Sequence, residues 1–242
     1  MFSIISVFTA SFIPFIIISF LIIIHELGHF LGAYLCGVEL DKIVIYPLGG
    51  IAKFKMKLNI TLVKELFILI MGPLFQYIAY LILNIVLNNY KDVIYNYHMG
   101  ILIFNLLPIY PLDGGKLINI FLNIIFPYKK SMDISIIISI FSVLFLIIIN
   151  INNIKINIVI IVLFLLYIII KEYKRIEYLY NKFLLERYLY KYKYRFIKII
   201  NNKNKFFRDR NHIIKEDNKY YLEKDYLEKK FKTGWLDNSG VL

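Results

Sequence analysis

Charge is what the first 170 residues lack. They hold ten lysines, no arginine and seven acids, and no charged side chain precedes Glu26. The chain has one cysteine, Cys36, which excludes an internal disulfide. Its spacing, seven residues past His29, suits a small packing residue better than a metal ligand. Charged residues make up 19% of the 242 and hydrophobic residues 59%, with mean hydropathy +0.64. A soluble domain has about a quarter of its residues charged. These shortages exclude an ordinary soluble domain for the first part of the chain.

The charge is concentrated at the other end. From Lys171 onward there are nineteen Lys plus Arg against ten acids. This divides the chain into a membrane domain, residues 1–170, and a basic tail, residues 171–242. The net charge of +12 does not call for nucleic acid, because the basic residues flank apolar segments. Anionic lipid headgroups account for them more simply. No nucleic-acid partner is expected.

A membrane span needs about 20 apolar residues. Segments 1–36, 61–88, 98–112, 133–150 and 156–170 give five, so the fold class expected is an all-α polytopic membrane protein. Pro14 marks where the first helix begins, and Gly72-Pro73 a kink or helix start in the second. No basic n-region precedes the first apolar run, so a cleaved signal peptide is not expected. Alternation in Val38–Tyr46 and Ile51–Lys57 about Pro47-Leu48-Gly49-Gly50 predicts a short β-hairpin after the first span. Lysines are concentrated in alternate loops. This orients five spans with the N-terminus outside and the C-terminus cytoplasmic. The Tyr- and Lys/Arg-rich start of the tail predicts an interfacial helix continuing the last span. Beyond about Asn201 the composition predicts short, weakly structured elements.

Inside the first apolar run stands His25-Glu26-Leu27-Gly28-His29. On a helix, residues four apart share a face, so His25 and His29 can hold one metal ion. Glu26 lies about 100° around from His25, within reach of a metal-bound water without being a ligand. A helical histidine is more often a hydrogen-bonded spectator. Here, however, two of the chain's four histidines fall in one motif, at a depth where ionisable groups are costly. The pattern suits metal-assisted peptide hydrolysis, with zinc as the metal and Glu26 as the base.

A catalytic zinc site usually takes three protein ligands. Among the acids before Lys171, only Asp113 lies in a broken, Gly-rich segment, Asn105-Leu-Leu-Pro108-Ile-Tyr-Pro111-Leu-Asp113-Gly114-Gly115. Asp before Gly-Gly is also a common turn residue. Set beside H-E-x-x-H, Asp113 is the best candidate for the third ligand. Two prolines and two glycines preclude an ordinary helix there, and broken backbone at membrane depth must be buried or line a wet cavity.

Taken together, the H-E-L-G-H motif, Gly72-Pro73 and Leu112-Asp113-Gly114 resemble the site-2 protease family of intramembrane zinc metalloproteases. Asn105 to Lys116, Tyr46 to Gly50 and Phe183-Leu-Leu-Glu-Arg-Tyr188 resemble landmarks of its sporulation branch, which releases pro-sigma-K. The resemblance covers residues 21 to about 190. It implies zinc ligation by His25, His29 and Asp113, Glu26 as catalytic base, and Asn105 lining the substrate site. It also implies a pro-sigma-K-like membrane-associated substrate, membrane-bound sporulation inhibitors as further partners, and a place in the mother-cell membrane around the forespore. Members of that branch usually carry a further span before the motif helix, which gives six spans and an inside N-terminus as the alternative.

Two other readings compete. One is a site-2 protease with another membrane-linked substrate. The other is a non-enzymatic metal-binding membrane protein, although the last two spans carry few of the polar residues a transport path would need.

Overall fold

The computed structural model describes residues 2–38, 58–151, 155–190, 192, 194–201, 205–216 and 219–233. The hairpin expected about residues 47–50 lies outside them. The described chain forms two units, the first running to Leu107 and the second comprising the segment ending at Leu62 together with Pro108 onward.

The first unit contains helices α1 (Phe2–Leu35), α2 (Leu62–Val86) and α3 (Lys91–Leu106), the last two joined through a 3₁₀ turn at Asn88–Tyr90. Pro14 and Pro73 sit inside α1 and α2 and start neither helix. Spanning helices tolerate proline where neighbouring groups satisfy the backbone it frees. The inward stripe of α1 reads Ile17, Leu21, His25, Gly28, His29, Gly32 and Ala33, all buried. Its outer face presents Phe12, Phe15, Ile16, Phe20, Ile23 and Leu27. The stripe begins as an apolar core with Ala79 of α2 and Ile94 of α3. It then changes character and becomes the motif.

In the second unit, α4 (Asp113–Ile125), α5 (Tyr128–Ile149) and α6 (Ile156–Leu189) lead into a small sheet and a last helix, α7 (Glu223–Thr233). A seam of small polar side chains joins α4 to α5. Asn119 Nδ2 donates to Ser135 Oγ at 2.9 Å, and Asn123 Nδ2 to Asn119 Oδ1 at 2.8 Å. Ser131, Ser135 and Ser139 recur at i, i+4 on the buried face of α5. Helix α6 runs unbroken through Lys171, as the continuation of the last span requires.

Strands β1 (Phe196–Ile200), β2 (Arg210–Glu216) and β3 (Lys219–Leu222) form a sheet in the order β1-β2-β3. β1 pairs parallel to β2 with Ile199 opposite Ile213, and β2 antiparallel to β3 with Ile214 opposite Tyr221. Buried Ile200, Phe206, Ile214 and Leu227 supply a core. The tail thus contains a small β-sheet that the all-α expectation did not include.

A buried polar cluster ties this sheet to α6. Glu186 accepts from the backbone N–H of Leu58 at 2.7 Å. Arg187 donates to Asn59 Oδ1 at 2.8 Å, to the Phe207 carbonyl at 2.8 Å and to Glu223 Oε1 at 2.7 Å. Both residues belong to the Phe183–Tyr188 landmark, so that landmark anchors structure.

Among the described residues, four helices are long and apolar enough to cross a membrane: Phe12–Leu35, Leu62–Val86, Tyr128–Ile149 and Ile156–Leu189. The remaining expected span, residues 98–112, is divided between the end of α3 and an irregular segment. The 16 residues of α3 reach only about 24 Å, short of the roughly 30 Å of a hydrocarbon core.

Candidate metal centre

His25 and His29 occupy successive turns of α1, and α2 supplies the groups that fix their rings. His29 Nδ1 lies 2.9 Å from the carbonyl oxygen of Ile68. A carbonyl only accepts, so Nδ1 carries the proton and Nε2 holds the lone pair. His25 Nδ1 lies 2.9 Å from Gln76 Oε1. The amide is oriented by its other end, where Nε2 donates to the His98 carbonyl at 3.0 Å. Gln76 therefore presents its oxygen to His25, whose Nδ1 is the donor and whose Nε2 is left with a lone pair.

The two Nε2 atoms face each other at 3.1 Å with the rings nearly perpendicular. Two lone pairs at that distance repel unless a cation lies between them. Zinc–nitrogen bonds of about 2.0–2.1 Å would bridge 3.1 Å at an angle of about 100°, close to tetrahedral. The donors and their spacing fit zinc.

Close approach of the two helices requires glycine. A Cβ at Gly28 would overlap the Met71 carbonyl, and one at Gly72 would overlap the His29 ring. Gly28 and Gly32 give α1 the small-xxx-small face that lets spanning helices pack backbone to backbone. Gly72 leaves the space into which the imidazole fits. The Gly72-Pro73 landmark thus has a local reason in its glycine.

Glu26 is half-buried on the same turn as His25, and Asn105 is half-buried near the end of α3. Asp113 belongs to the second unit, where it opens α4 and is buried. A carboxylate is favoured in the first turn of a helix by the backbone dipoles. Lys116 Nζ lies 3.2 Å from its Oδ1. The loop before it is pinned to α5: the Tyr110 N–H donates to Ser139 Oγ at 2.8 Å, and Ser142 Oγ to the Pro108 carbonyl at 3.2 Å. Gly115 makes that fold-back feasible, since a Cβ there would overlap the backbone of Ile109 and Tyr110.

Sequence reasoning missed Gln76 and His98. Gln76 is fully buried and touches both His25 and His98. A glutamine in the middle of an apolar run, like a histidine there, is costly to bury unless paired. That was the available signal.

Apolar helices of spanning length, with two histidines paired nitrogen to nitrogen inside one of them, define a membrane protein built around a candidate metal centre. Residues 13–99 match the family model described as peptidase family M50, which shows the resemblance read from the motif helix. Among characterised proteins, the chain is 28% identical over 176 residues to stage IV sporulation protein FB of Bacillus subtilis, covering 69% of this chain and 61% of that protein. It is 35% identical over 131 residues to a zinc metalloprotease of Methanocaldococcus jannaschii, covering 50% of this chain and 38% of the other. The chain thus spans less than two thirds of either relative. With the family match and the four apolar helices, it is an integral membrane protein.

Proposed function

We propose that this protein is an intramembrane zinc metalloendopeptidase of the site-2 type that cuts a membrane-associated protein. The observation that carries the reading is the His25–His29 pair, each ring held through Nδ1 so that both Nε2 lone pairs converge. His25, His29 and Asp113 hold the metal in this reading. Support for Asp113 comes from its burial at the start of α4, directly after the irregular segment 107–112.

Zinc would supply Lewis acidity, acidifying a water and polarising the scissile carbonyl. Glu26, next to His25 but turned off the ligand face, takes the proton from that water and passes it to the leaving amine. Gln76 and the Ile68 carbonyl hold a proton on each Nδ1, which leaves Nε2 as the nitrogen that can ligate. Asn105 holds the substrate backbone.

For the substrate we favour a pro-sigma-K-like precursor, processed in the mother-cell membrane with the C-terminal tail in the cytoplasm. The likeness to the Bacillus sporulation protein and the aspartate-motif resemblance support this. Five crossings would require α3 together with the irregular segment after it to serve as the third. Membrane-tethered pro-sigma factors should be co-expressed with the wild type and with Glu26→Gln. Glu26-dependent shortening of a pro-sigma-K-like precursor is the expected result. Glu26-dependent cleavage of another tethered protein only would leave the protease and change its substrate. Metal binding with no cleavage of any tethered protein would leave a non-enzymatic metal-binding membrane protein.

A further inference from the structure

We propose that the second unit contains a binding site for the phosphate-bearing headgroup of an anionic phospholipid, between the start of α5 and strand β1. A cavity of about 620 Å³ opens there, lined by Lys129, Lys130, Asp133, Lys198 and Lys205 over an apolar floor that includes Phe126 and Phe207. Four cations thus face one acid.

One of these cations is held by an acid, and two are held by aromatic rings that leave them available to an anion. Lys129 is paired with Glu177 at 2.6 Å. Lys130 lies over the ring of Phe126 at 5.0 Å, and Lys198 over that of Phe207 at 3.7 Å. Arg210 also lies over Phe207, at 5.1 Å. A ring attracts a cation weakly, by about 1 kcal/mol at exposed sites, and here one ring draws two cations that repel each other. Desolvation, with the Arg210 charge behind it, pushes the Lys198 ammonium below its ordinary pKa. An anion in the cavity relieves that repulsion.

Position in the fold selects a lipid over a soluble anion. After Asp133, α5 runs from Ile134 to Ile149 without a charge, so the cavity lies at the charged end of a span. Beside it, β1 exposes Phe196, Ile197 and Ile199 by 63%, 66% and 58%, an apolar edge next to a cationic pocket. Large apolar side chains flanked by lysines suit the headgroup layer, where the chain can meet acyl carbon and phosphate together.

The test uses the full chain purified in neutral detergent, with bound lipid counted by native mass spectrometry. Phosphatidylglycerol and phosphatidylcholine are titrated separately, and inorganic phosphate is a third arm. A lysine near an anionic headgroup is worth about five-fold in binding. Lys198→Gln with Lys205→Gln should therefore weaken phosphatidylglycerol binding roughly 25-fold and leave phosphatidylcholine unchanged. Asp133→Asn, which removes the acid of the cavity, should strengthen phosphatidylglycerol binding, a gain that misfolding cannot produce. Lys215→Gln with Lys219→Gln, the same charge loss on β2 and β3, should have no effect. Equal weakening by that control pair would reduce the effect to general basicity and overturn the proposal. Saturable binding of inorganic phosphate, lost in the Lys198/Lys205 variant with no preference for phosphatidylglycerol, would assign the cavity to a soluble phosphate compound and also overturn it.

Discussion

Gln76 accepts the Nδ1 proton of His25 across 2.9 Å while its amide nitrogen donates to the His98 carbonyl at 3.0 Å. One side chain therefore sets which nitrogen of His25 can bind a metal. Removing the outer partner of a ligating histidine typically costs about 10–100-fold in metal affinity or activity. Gln76→Leu should weaken zinc binding within that range, measured by chelator competition on purified protein. Gln76→Glu, which keeps an acceptor, should recover most of it. Unchanged affinity in Gln76→Leu would mean that His25 is oriented by packing alone.

Glu26 lies beside the histidine pair without being placed among the donors. Glu26→Gln should abolish cleavage and keep zinc content at the wild-type level. Loss of the metal in that variant would make Glu26 a ligand and refute its assignment as the base.

Asp113 is the ligand assignment that comes from outside the motif helix, in the other unit of the chain. Asp113→Asn should lower zinc affinity by more than the 10–100-fold typical of outer partners, since a neutral amide replaces a carboxylate on a dication. Asn105→Ala should retain zinc and reduce turnover. Asp133→Asn should alter neither zinc content nor turnover. If Asp113→Asn keeps full zinc and activity, another acid completes the site, and Glu65 is the next to replace.

The tail should loosen in acid. His212 is buried, and burial pushes its pKa below the ordinary value, opposed by the hydrogen bond to Glu223. Its Nε2 accepts from the Phe207 N–H at 3.0 Å, so the neutral ring is the one that fits. Burial alone would raise Glu223, but the hydrogen bond from His212 and the Arg187 guanidinium hold it below the usual carboxylate range. For both groups the unfolded chain binds protons more readily than the folded one, so stability falls as pH falls. The His212 contribution is complete above about pH 6.5 and is lost below it, and that of Glu223 is lost below about pH 4.5. Hydrogen-exchange protection over residues 206–216, corrected for the slower intrinsic exchange in acid, should fall between pH 7.5 and 5.5, and His212→Asn should flatten that dependence. Equal protection at both pH values would remove His212 as the cause.

What the sequence made legible was chemistry carried by residue type and short spacing. H-E-x-x-H places two imidazoles on one helical face whatever surrounds it, and Asp113 stood out because two prolines and two glycines surround it, although the structure puts both glycines inside α4 and only residues 107–112 break the helix. Long-range partners were hidden. Nothing near Gln76 in the sequence indicates that it meets a histidine 51 positions away. The β-sheet was hidden for a related reason. In a strongly basic tail, nothing near Arg187, His212 or Glu223 in the sequence marks them as partners, whereas the fold buries the first two and pairs both with the third. Pro14 misled in the other direction, and Pro73, read as a kink or a helix start, starts no helix. Proline reads as a helix boundary from rules for water, and in apolar surroundings the helix continues through it.

Gly72 joins what was read to what was hidden. As half of Gly72-Pro73 it was a landmark without a stated role, and the structure places the His29 ring where its side chain would be. The ring cannot simply swing aside, because Nδ1 is held by the Ile68 carbonyl at 2.9 Å and Nε2 faces its partner on His25 at 3.1 Å. A methyl group at position 72 must therefore break the Ile68 hydrogen bond, push α2 away from α1, or both. Gly72→Ala should lose zinc as severely as a ligand replacement while residues 196–233, in the other unit, keep their hydrogen-exchange protection. Among the described residues, nothing beyond its own stretch of helix lies within 4 Å of where a Cβ at Gly100 would stand, so Gly100→Ala is the matched control and should bind zinc normally. Full zinc affinity in Gly72→Ala would show that the His29 ring need not sit over Gly72, and the orientation argued for the histidine pair would then fail.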